Sequence, residues 1–148
     1  HEMFMSYFPD KLLKRIFLID GYMYEMIKYS RFMVVTSGTA TLETAYIGTP
    51  FIIVYKSSWV SYSIARRLVR IKRIGLPNII LDNDIVPELI QDEVTGENIY
   101  TRILQYLDNS QEYDKMAAEL GMIKELLSEK KASQEVASII ESIINEEK

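Results

Sequence analysis

The stretch "VVTSGTATLETAYIGTPFIIVY" (residues 34–55) decides the fold, because two apolar runs and one helical segment follow each other with sharp breaks between them. The first run ends at Ser-Gly-Thr (37–39), and Gly-Thr-Pro (48–50) separates the helical segment from the second run. Apolar runs that alternate with helical segments are typical of parallel strands whose sheet is covered by helices on both faces. We therefore expect strand, turn, helix and strand in this order.

Neighbouring segments extend the same pattern. "RIFLID" (15–20) is an apolar run before a helix-like segment, and "RFMVVT" (31–36) and "PFIIVY" (50–55) follow it. Because each run is joined to the next by a helix-length connection, we expect these runs to form a parallel sheet. "LPNIIL" (76–81) is a candidate fourth strand.

From about residue 84 the pattern predicts helices only. Thr95 is expected to cap one helix, and Asn109, with Glu112 three residues later, has the capping-box pattern of another. A last helix carries an apolar stripe at helical spacing, formed by Val136, Ile139, Ile140, Ile143 and Ile144. We expect these helices to serve packing.

The composition excludes several classes of chemistry. The 148 residues are 48% apolar, which is enough for one domain with a sizeable core. No cysteine is present, so disulfides, Cys-ligated zinc and thiol nucleophiles are excluded. The single histidine is His1, and an opening His-Glu-Met is more typical of a cloning junction than of a natural start. We therefore expect no functional histidine.

Charge and hydropathy give no sign of a nucleic-acid partner or of a membrane-spanning helix. The net charge is −4, which gives no general reason to expect a nucleic-acid partner. The N-terminus has no signal-peptide pattern, and no apolar stretch approaches the roughly 18 to 20 residues of a membrane-spanning helix. The sequence therefore predicts a chain without a transmembrane helix.

The turn formed by Ser37, Gly38 and Thr39 is a candidate phosphate site. A helix that starts at the carboxyl edge of a parallel sheet presents its free N–H groups and the positive end of its dipole there. Gly38 permits a close approach to the backbone. The hydroxyls of Ser37, Thr39 and Thr41 suit either phosphate binding or helix capping, and the residues alone leave both interpretations open.

Glu43 lies one helical turn after Thr39, among small and apolar neighbours. A carboxylate at this position is able to accept two hydrogen bonds from a ribose diol while the helix start holds phosphates. The alternative is an acid that interacts favourably with the helix dipole, which is worth about 0.3 to 1 kcal/mol. The spacing permits both roles.

Two blocks of sequence carry a family resemblance. "SGTATLETAYIGTPFIIVYK" (37–56) and "ARRLVRIKRIGLPNIILDNDIVPELIQDEVTGENI" (65–99) closely resemble the C-terminal part of the lipid-A-disaccharide synthases. The resemblance runs from roughly residue 16 to residue 127. Its most specific parts are the Ser-Gly-Thr…Leu-Glu block and the Leu-Pro-Asn…Val-Pro-Glu-Leu block.

The resemblance implies an α/β fold, namely a partial Rossmann-like C-terminal lobe of a two-lobed (GT-B) glycosyltransferase with parallel strands and a helical C-terminal tail. Residues 1–83 would form a truncated nucleotide-sugar-binding part, and residues 84–148 the C-terminal helices of the same lobe. The implied reaction is an inverting transfer of 2,3-diacylglucosamine from UDP-2,3-diacylglucosamine to 2,3-diacylglucosamine 1-phosphate, with release of UDP, in lipid A biosynthesis. No cofactor and no metal are implied.

Site residues follow from the resemblance position by position. The turn at 37–39 would face the diphosphate, and Glu43 would face the ribose. Asn78, in "GLPN", would lie near the UDP-sugar donor, although an asparagine that closes a turn after Pro77 explains the same residues equally well.

Parts of the family pattern have no counterpart in this sequence. These are the glycine-, serine- and arginine-containing loop that opens the C-terminal lobe and the whole N-terminal lobe, where the family is expected to hold its catalytic base. We therefore expect a fragment that is inactive alone, and no catalytic residue is assigned to it.

The segment "KSSWVSYSIARRLVRIKR" (56–73) contains six cationic residues and no acid. Wound as a helix, it would have one apolar face and an opposite face formed by Trp59, Tyr62, Arg66, Arg70 and Arg73. The second face fits contact with an anionic surface such as a membrane. Equally open is a solvated basic face that pairs with acids such as Glu88, Asp92 and Glu93.

The resemblance also implies a cytoplasmic protein that is peripheral on the inner membrane of a Gram-negative bacterium. The family is thought to dimerise by exchanging C-terminal segments, so we expect a homodimer or higher oligomer. The isoleucines at 139, 140, 143 and 144, or a free strand edge, would be buried between chains, and Phe17 and Ile19 would be exposed in one chain alone.

Two other classes of function stay open at this point. One is a fragment of another UDP-sugar transferase or of a UDP-sugar epimerase, which would share the glycine turn and helix acid but lack the Leu-Pro-Asn and Val-Pro-Glu-Leu blocks. The other is a non-enzymatic α/β interaction module whose helical tail binds a partner. Binding of UDP separates the donor-binding reading from the interaction module.

Overall fold

A parallel sheet forms the centre of the fold. A computed structural model of the chain describes residues 2–58, 73–129 and 132–146. Within these residues the sheet has the strand order β1-β2-β3, where β1 is Met33–Thr36, β2 is Phe51–Tyr55 and β3 is Glu88–Ile90. Both strand pairs are parallel. The expected α/β class and the parallel pairing of the runs at 31–36 and 50–55 are therefore confirmed.

Helices surround this sheet. Their bounds are α1 (Glu2–Met5), α2 (Asp10–Leu13), α3 (Met23–Tyr29), α4 (Thr39–Ile47), α5 (Leu76–Ile80), α6 (Gly96–Asp108), α7 (Ser110–Glu129) and α8 (Ala132–Glu146). The connection between β1 and β2 is α4, which packs against β1, α3, α5 and α7. The structure therefore has the strand-turn-helix-strand order that the stretch at 34–55 predicts.

The prediction of a strand at 15–20 is wrong. Residues 16–20 carry no regular secondary structure, and Phe17 is 80% exposed and Ile19 54% exposed. An apolar run gives a segment the ability to pair, but a strand forms only where a neighbouring strand accepts its hydrogen bonds. β1 has a free edge in the described sheet, but residues 16–20 do not pair with it. Their expected exposure is confirmed.

Two further expectations fail between residues 76 and 90. Residues 76–81 are not a fourth strand, because Leu76–Ile80 is the helix α5, with Pro77 in its first turn. Proline is tolerated there since the first N–H groups of a helix have no intrahelical partner. The expectation of helices only beyond residue 84 is also wrong, because β3 pairs with β2. A three-residue strand that begins with a glutamate after a proline gives no apolar run to read.

The core lies between the sheet and the helices α4 and α7. On β2, Phe51, Ile52 and Ile53 are fully buried, and full burial of such a side chain is worth about 1.5 to 3 kcal/mol. Helix α7 contributes Met116, Leu120 and Ile123, of which Leu120 and Ile123 are fully buried. The long helix near the C-terminal end of the chain thus closes the core from outside.

Side-chain caps begin α6 and α7. The Thr95 hydroxyl accepts a hydrogen bond from the Asn98 N–H at 3.1 Å, as expected. The Asn109 side chain accepts from the N–H groups of Gln111 at 3.1 Å and Glu112 at 3.3 Å, which confirms its capping role. The Glu112 carboxylate accepts from the Gln105 side chain at 2.8 Å.

Gly75 sits where no larger residue fits. A Cβ at this position would lie 2.2 Å from Ile53 Cδ1 and 3.0 Å from Glu88 Oε1. The clashing atom is the terminal methyl of Ile53, a fully buried side chain, so it moves aside only by disturbing the packing around it. We predict that Gly75→Ala lowers the free energy of unfolding by about 1 to 3 kcal/mol, measured by urea denaturation.

The matched control for this substitution is Gly121→Ala in α7. A Cβ at Gly121 meets no atom within 4 Å, and the residue lies in the interior of a helix. Alanine there is expected to stabilise by about 0.5 to 1 kcal/mol, because glycine is the less favourable helix residue. Equal changes in the free energy of unfolding at the two glycines would contradict the explanation that Gly75→Ala destabilises through close packing.

Candidate functional site

The turn after β1 lies at the carboxyl edge of the sheet. Strand β1 ends at Thr36, α4 begins at Thr39, and Gly38 is the N-terminal flanking residue with φ 150°. This backbone conformation favours glycine, while a Cβ would meet no atom within 4 Å, so the turn needs glycine for its backbone angle. The space beside Gly38 is therefore open to a ligand.

Two of the three predicted hydroxyl groups donate to carbonyl groups of the chain itself. Ser37 Oγ donates to the Ile74 carbonyl at 3.2 Å, and Thr41 Oγ1 donates to the Gly38 carbonyl at 2.7 Å. Thr39 is exposed, and within the described ranges its hydroxyl has no hydrogen-bond partner. The groups available to an incoming phosphate are therefore the first N–H groups of α4 and the Thr39 hydroxyl.

Glu43 lies beyond the first turn of α4 and is half-buried. The effect of the helix dipole falls off within the first turn, so a favourable interaction with the dipole is a weak explanation for an acid at this position. Among the residues that the structure describes, the Glu43 carboxylate takes part in no hydrogen bond or ion pair. Its acceptor oxygens are thus available to a ligand.

An open groove borders Glu43. It has a volume of about 720 Å³ and lies between α3, α4 and the end of α7. Its lining residues are Tyr24, Glu25, Lys28, Tyr29, Leu42, Glu43, Tyr46, Ile47 and Leu127. The structure therefore places Glu43 on a partly aromatic groove, one helical turn away from the start of α4.

Asn78 is buried, and both ends of its side chain are occupied. Its Nδ2 donates to the Val86 carbonyl at 2.7 Å and to Glu88 Oε1 at 2.8 Å. Its Oδ1 accepts from the N–H groups of Ile85 at 3.0 Å and Val86 at 2.9 Å. These bonds use the full capacity of a primary amide. Asn78 therefore closes the connection between α5 and β3, in agreement with the alternative reading of this residue.

Glu88 holds the chain just before α5, a role that the sequence pattern did not predict. Its Oε2 accepts from the Ile74 N–H at 2.9 Å, and its Oε1 accepts from the Gly75 N–H at 2.9 Å and from Asn78. The carboxylate thereby satisfies N–H groups at the start of α5. The Leu-Pro-Asn…Val-Pro-Glu-Leu block was the available signal, because its asparagine and its acid bond to each other.

Gln91 also has a structural role that the sequence pattern did not predict. It follows β3 directly, has a φ of 52°, and lies on the same edge of the sheet as the turn at 37–39. Its Oε1 accepts from the Ser57 N–H at 2.8 Å, and its Nε2 donates to the Ser57 carbonyl at 3.2 Å. The amide thus fastens the chain after β2 to the end of β3.

Most of the predicted membrane-contact residues, Trp59, Tyr62, Arg66 and Arg70, lie outside the described residues. Arg73 is described, and its guanidinium forms ion pairs with Asp84 and Asp82. The hydrogen bond that Arg73 Nε donates to Asp84 is the main reason why the pKa of Arg73 is raised above its ordinary value. The alternative of pairing within the chain is therefore met at Arg73, but with other acids than Glu88, Asp92 and Glu93.

Comparison with protein families assigns the chain to one of them. The family model described as lipid-A-disaccharide synthetase matches residues 5–143. The chain belongs to this family. The lipid-A-disaccharide synthase of Sulfurihydrogenibium sp. is 42% identical over 121 residues, which are 82% of this chain and 31% of that protein. The synthase of Persephonella marina is 43% identical over 120 residues, covering 81% of this chain and 32% of that protein.

A third relative agrees with these matches. The lipid-A-disaccharide synthase of Geobacter sulfurreducens is 38% identical over 117 residues, which are 79% of this chain and 30% of that protein. The chain thus spans about a third of the length of the synthases that it matches. The resemblance to the lipid-A-disaccharide synthase family is confirmed.

The last helix presents an apolar face without cover. In α8 the residues Ile139, Ile140, Ile143 and Ile144 are each more than 50% exposed. None of the helices in the described parts of this synthase-family chain is long and apolar enough to cross a bilayer. The expected burial of the isoleucines between chains stays a prediction.

Asn78→Ala tests the buried hydrogen bonds of the synthase-family Leu-Pro-Asn block. The substitution leaves the N–H groups of Ile85 and Val86 without their acceptor. We predict that it lowers the free energy of unfolding by about 2 to 4 kcal/mol in urea denaturation, because each orphaned buried group adds a desolvation cost.

Asn83→Ala is the matched control for Asn78→Ala. Asn83 is exposed, and in the part of the chain that the structure describes its side chain accepts only from the Asp84 N–H at 2.9 Å. Its removal should change the free energy of unfolding by no more than about 0.5 kcal/mol. A loss of similar size in both variants would show that Asn78 is not specifically structural.

Proposed function

We propose that this chain is the donor-binding part of a lipid-A-disaccharide synthase. The full-length enzyme would transfer 2,3-diacylglucosamine from UDP-2,3-diacylglucosamine to 2,3-diacylglucosamine 1-phosphate and release UDP. The observation that carries the proposal is the family match over residues 5–143, which includes the turn, α4 and the Leu-Pro-Asn…Val-Pro-Glu-Leu block. The turn at 37–39 lies at the carboxyl edge of a parallel sheet, where α/β folds bind ligands, and this position supports the proposal.

The turn at 37–39 is proposed to face the diphosphate of the donor. When the bond between sugar and diphosphate breaks, negative charge develops on the leaving oxygen. N–H groups at the start of α4, together with the Thr39 hydroxyl, would stabilise this charge without reorganising. Ser37 would hold the turn through the Ile74 carbonyl, and Gly38 would allow the phosphate to approach the backbone.

Glu43 is proposed to bind the ribose of the donor. Its carboxylate oxygens are available, and a carboxylate accepts hydrogen bonds from both hydroxyls of a diol. Asn78, which the resemblance places near the donor, would contribute through the loop that it closes. We assign no catalytic base to this chain, because deprotonation of the acceptor hydroxyl needs a group on the acceptor side of the bond that forms.

Glu43→Ala tests the proposed ribose contact in a full-length synthase that carries this sequence. Removal of one charged acceptor should weaken UDP binding by about 1 to 3 kcal/mol, which is roughly fivefold to 150-fold in affinity. Isothermal titration calorimetry measures this change. Glu97→Ala, at an exposed glutamate in the first turn of α6, is the matched control and should bind UDP as tightly as the wild type.

Unchanged UDP affinity in Glu43→Ala would reject the ribose contact. A wild-type synthase that fails to bind UDP would reject the donor site as a whole. The interaction-module reading would then gain support, because it requires no nucleotide.

Peripheral contact with an anionic membrane belongs to the same proposal. The support is the sequence of residues 56–73, with six cations and no acid. Arg73 pairs with two aspartates, so the contact would rest on the aromatic and cationic residues Trp59, Tyr62, Arg66 and Arg70. This membrane would be the inner membrane of a Gram-negative bacterium, on its cytoplasmic side.

We also propose that the chain forms a homodimer or higher oligomer through α8. The exposed isoleucine face supports this, because contiguous apolar surface in water is unfavourable and marks an interaction site. The double substitution Ile139→Asp with Ile143→Asp should convert the assembly into monomers at micromolar concentration, measured by light scattering. Ser142→Asp, which adds a charge beside this face, should leave the mass unchanged. A monomeric wild type would refute the proposal.

A further inference from the structure

The peptide unit between Ile74 and Gly75 is held from both sides. Its N–H, on Gly75, donates to Glu88 Oε1 at 2.9 Å, and its carbonyl, on Ile74, accepts from Ser37 Oγ at 3.2 Å. Because a peptide unit is planar and rigid, a bond at one end fixes the orientation of the group at the other end. Glu88 and Ser37 are therefore coupled through one rigid group.

The bonds of Glu88 give this peptide a strong anchor. The carboxylate also accepts from the Ile74 N–H at 2.9 Å and from Asn78 Nδ2 at 2.8 Å. Hydrogen bonds to an ionised group are roughly twice as strong as those between neutral groups, and successive bonds polarise one another. The carboxylate thus increases the acceptor strength of the Ile74 carbonyl toward Ser37.

Ser37 connects this anchor to the start of α4. Its N–H donates to the Val54 carbonyl at 3.1 Å, so the backbone of Ser37 is fixed by β2. Its hydroxyl is fixed by Ile74, and the next residue is Gly38, with its φ of 150°. Both restraints together set the direction in which the turn presents its N–H groups.

We propose that Glu88 is a positioning residue for donor binding. It holds the Ile74–Gly75 peptide, this peptide holds the Ser37 hydroxyl, and Ser37 holds the turn at 37–39 in the orientation that binds diphosphate. Glu88 itself does not touch the nucleotide, since its oxygens face N–H donors of the chain. This inference rests on the proposed function of the turn.

A double-mutant cycle on UDP binding tests the inference in a full-length synthase that carries this sequence. In Glu88→Gln one carboxylate oxygen becomes an NH₂ group, which cannot accept from both backbone N–H groups. Glu88→Gln and Ser37→Ala should each weaken UDP binding by about tenfold in calorimetry. Because both act on one chain of contacts, the double variant should also lose about tenfold, whereas independent effects would multiply to roughly a hundredfold.

The controls separate this coupling from a general loss of stability. Glu93→Gln changes an exposed carboxylate that, among the described residues, accepts only from the Ile90 N–H at 3.1 Å, and it should leave UDP affinity unchanged. If thermal denaturation shows that Glu88→Gln is not folded, Glu88→Asp replaces it in the same cycle. This variant keeps the charge.

The outcomes are distinguishable. Coupled losses support the positioning role of Glu88. A wild type that binds UDP, with either no loss in the Glu88 variant or with multiplying losses, overturns this inference and leaves the donor site standing. A wild type that does not bind UDP overturns the donor site and the inference together.

Discussion

The hydrogen bonds of the Glu88 carboxylate are the interaction on which the arrangement of residues 74–78 beside the sheet depends. An ionised acid within a strand of a small sheet is costly unless its oxygens are occupied by donors. Here N–H groups of Ile74, Gly75 and Asn78 occupy them. The same bonds hold the residues just before α5, where Gly75 lies so close to Ile53 that a Cβ would overlap with it.

The constraint at Glu88 has a consequence for ligand binding. A carboxylate near a bound diphosphate would normally repel it, but the charge of Glu88 is directed at N–H groups inside the protein. What the edge presents outward is the start of α4, with its free N–H groups and the exposed Thr39. Structural negative charge and ligand-facing positive potential are thus kept apart.

Sequence patterns predict those parts of the fold that local signals determine. The strands β1 and β2, the turn at 37–39, and the caps at Thr95 and Asn109 follow from apolar runs, a glycine and capping residues, and the structure contains them. The membership in the synthase family follows from the two blocks of sequence that carry the resemblance.

The remaining parts depend on contacts between distant residues. Residues 15–20 have the composition of a strand but pair with no strand of the described sheet, and residues 76–80 form a helix that is preceded by N–H groups bound to the distant Glu88. β3 has only three residues and begins with a glutamate, so it is too short to be recognised as a strand. Likewise, Asn78 and Glu88 are each ambiguous alone, and only their mutual hydrogen bond reveals that they hold the loop.

The central claim of this account is that the start of α4 holds the diphosphate of a UDP-sugar donor. A crystal structure of a full-length synthase with this sequence, in complex with UDP, tests it most directly. The account predicts diphosphate oxygens within about 3 Å of backbone nitrogens at the turn formed by residues 37–39, with the ribose hydroxyls at Glu43. A diphosphate bound elsewhere, with the turn unoccupied, would contradict it.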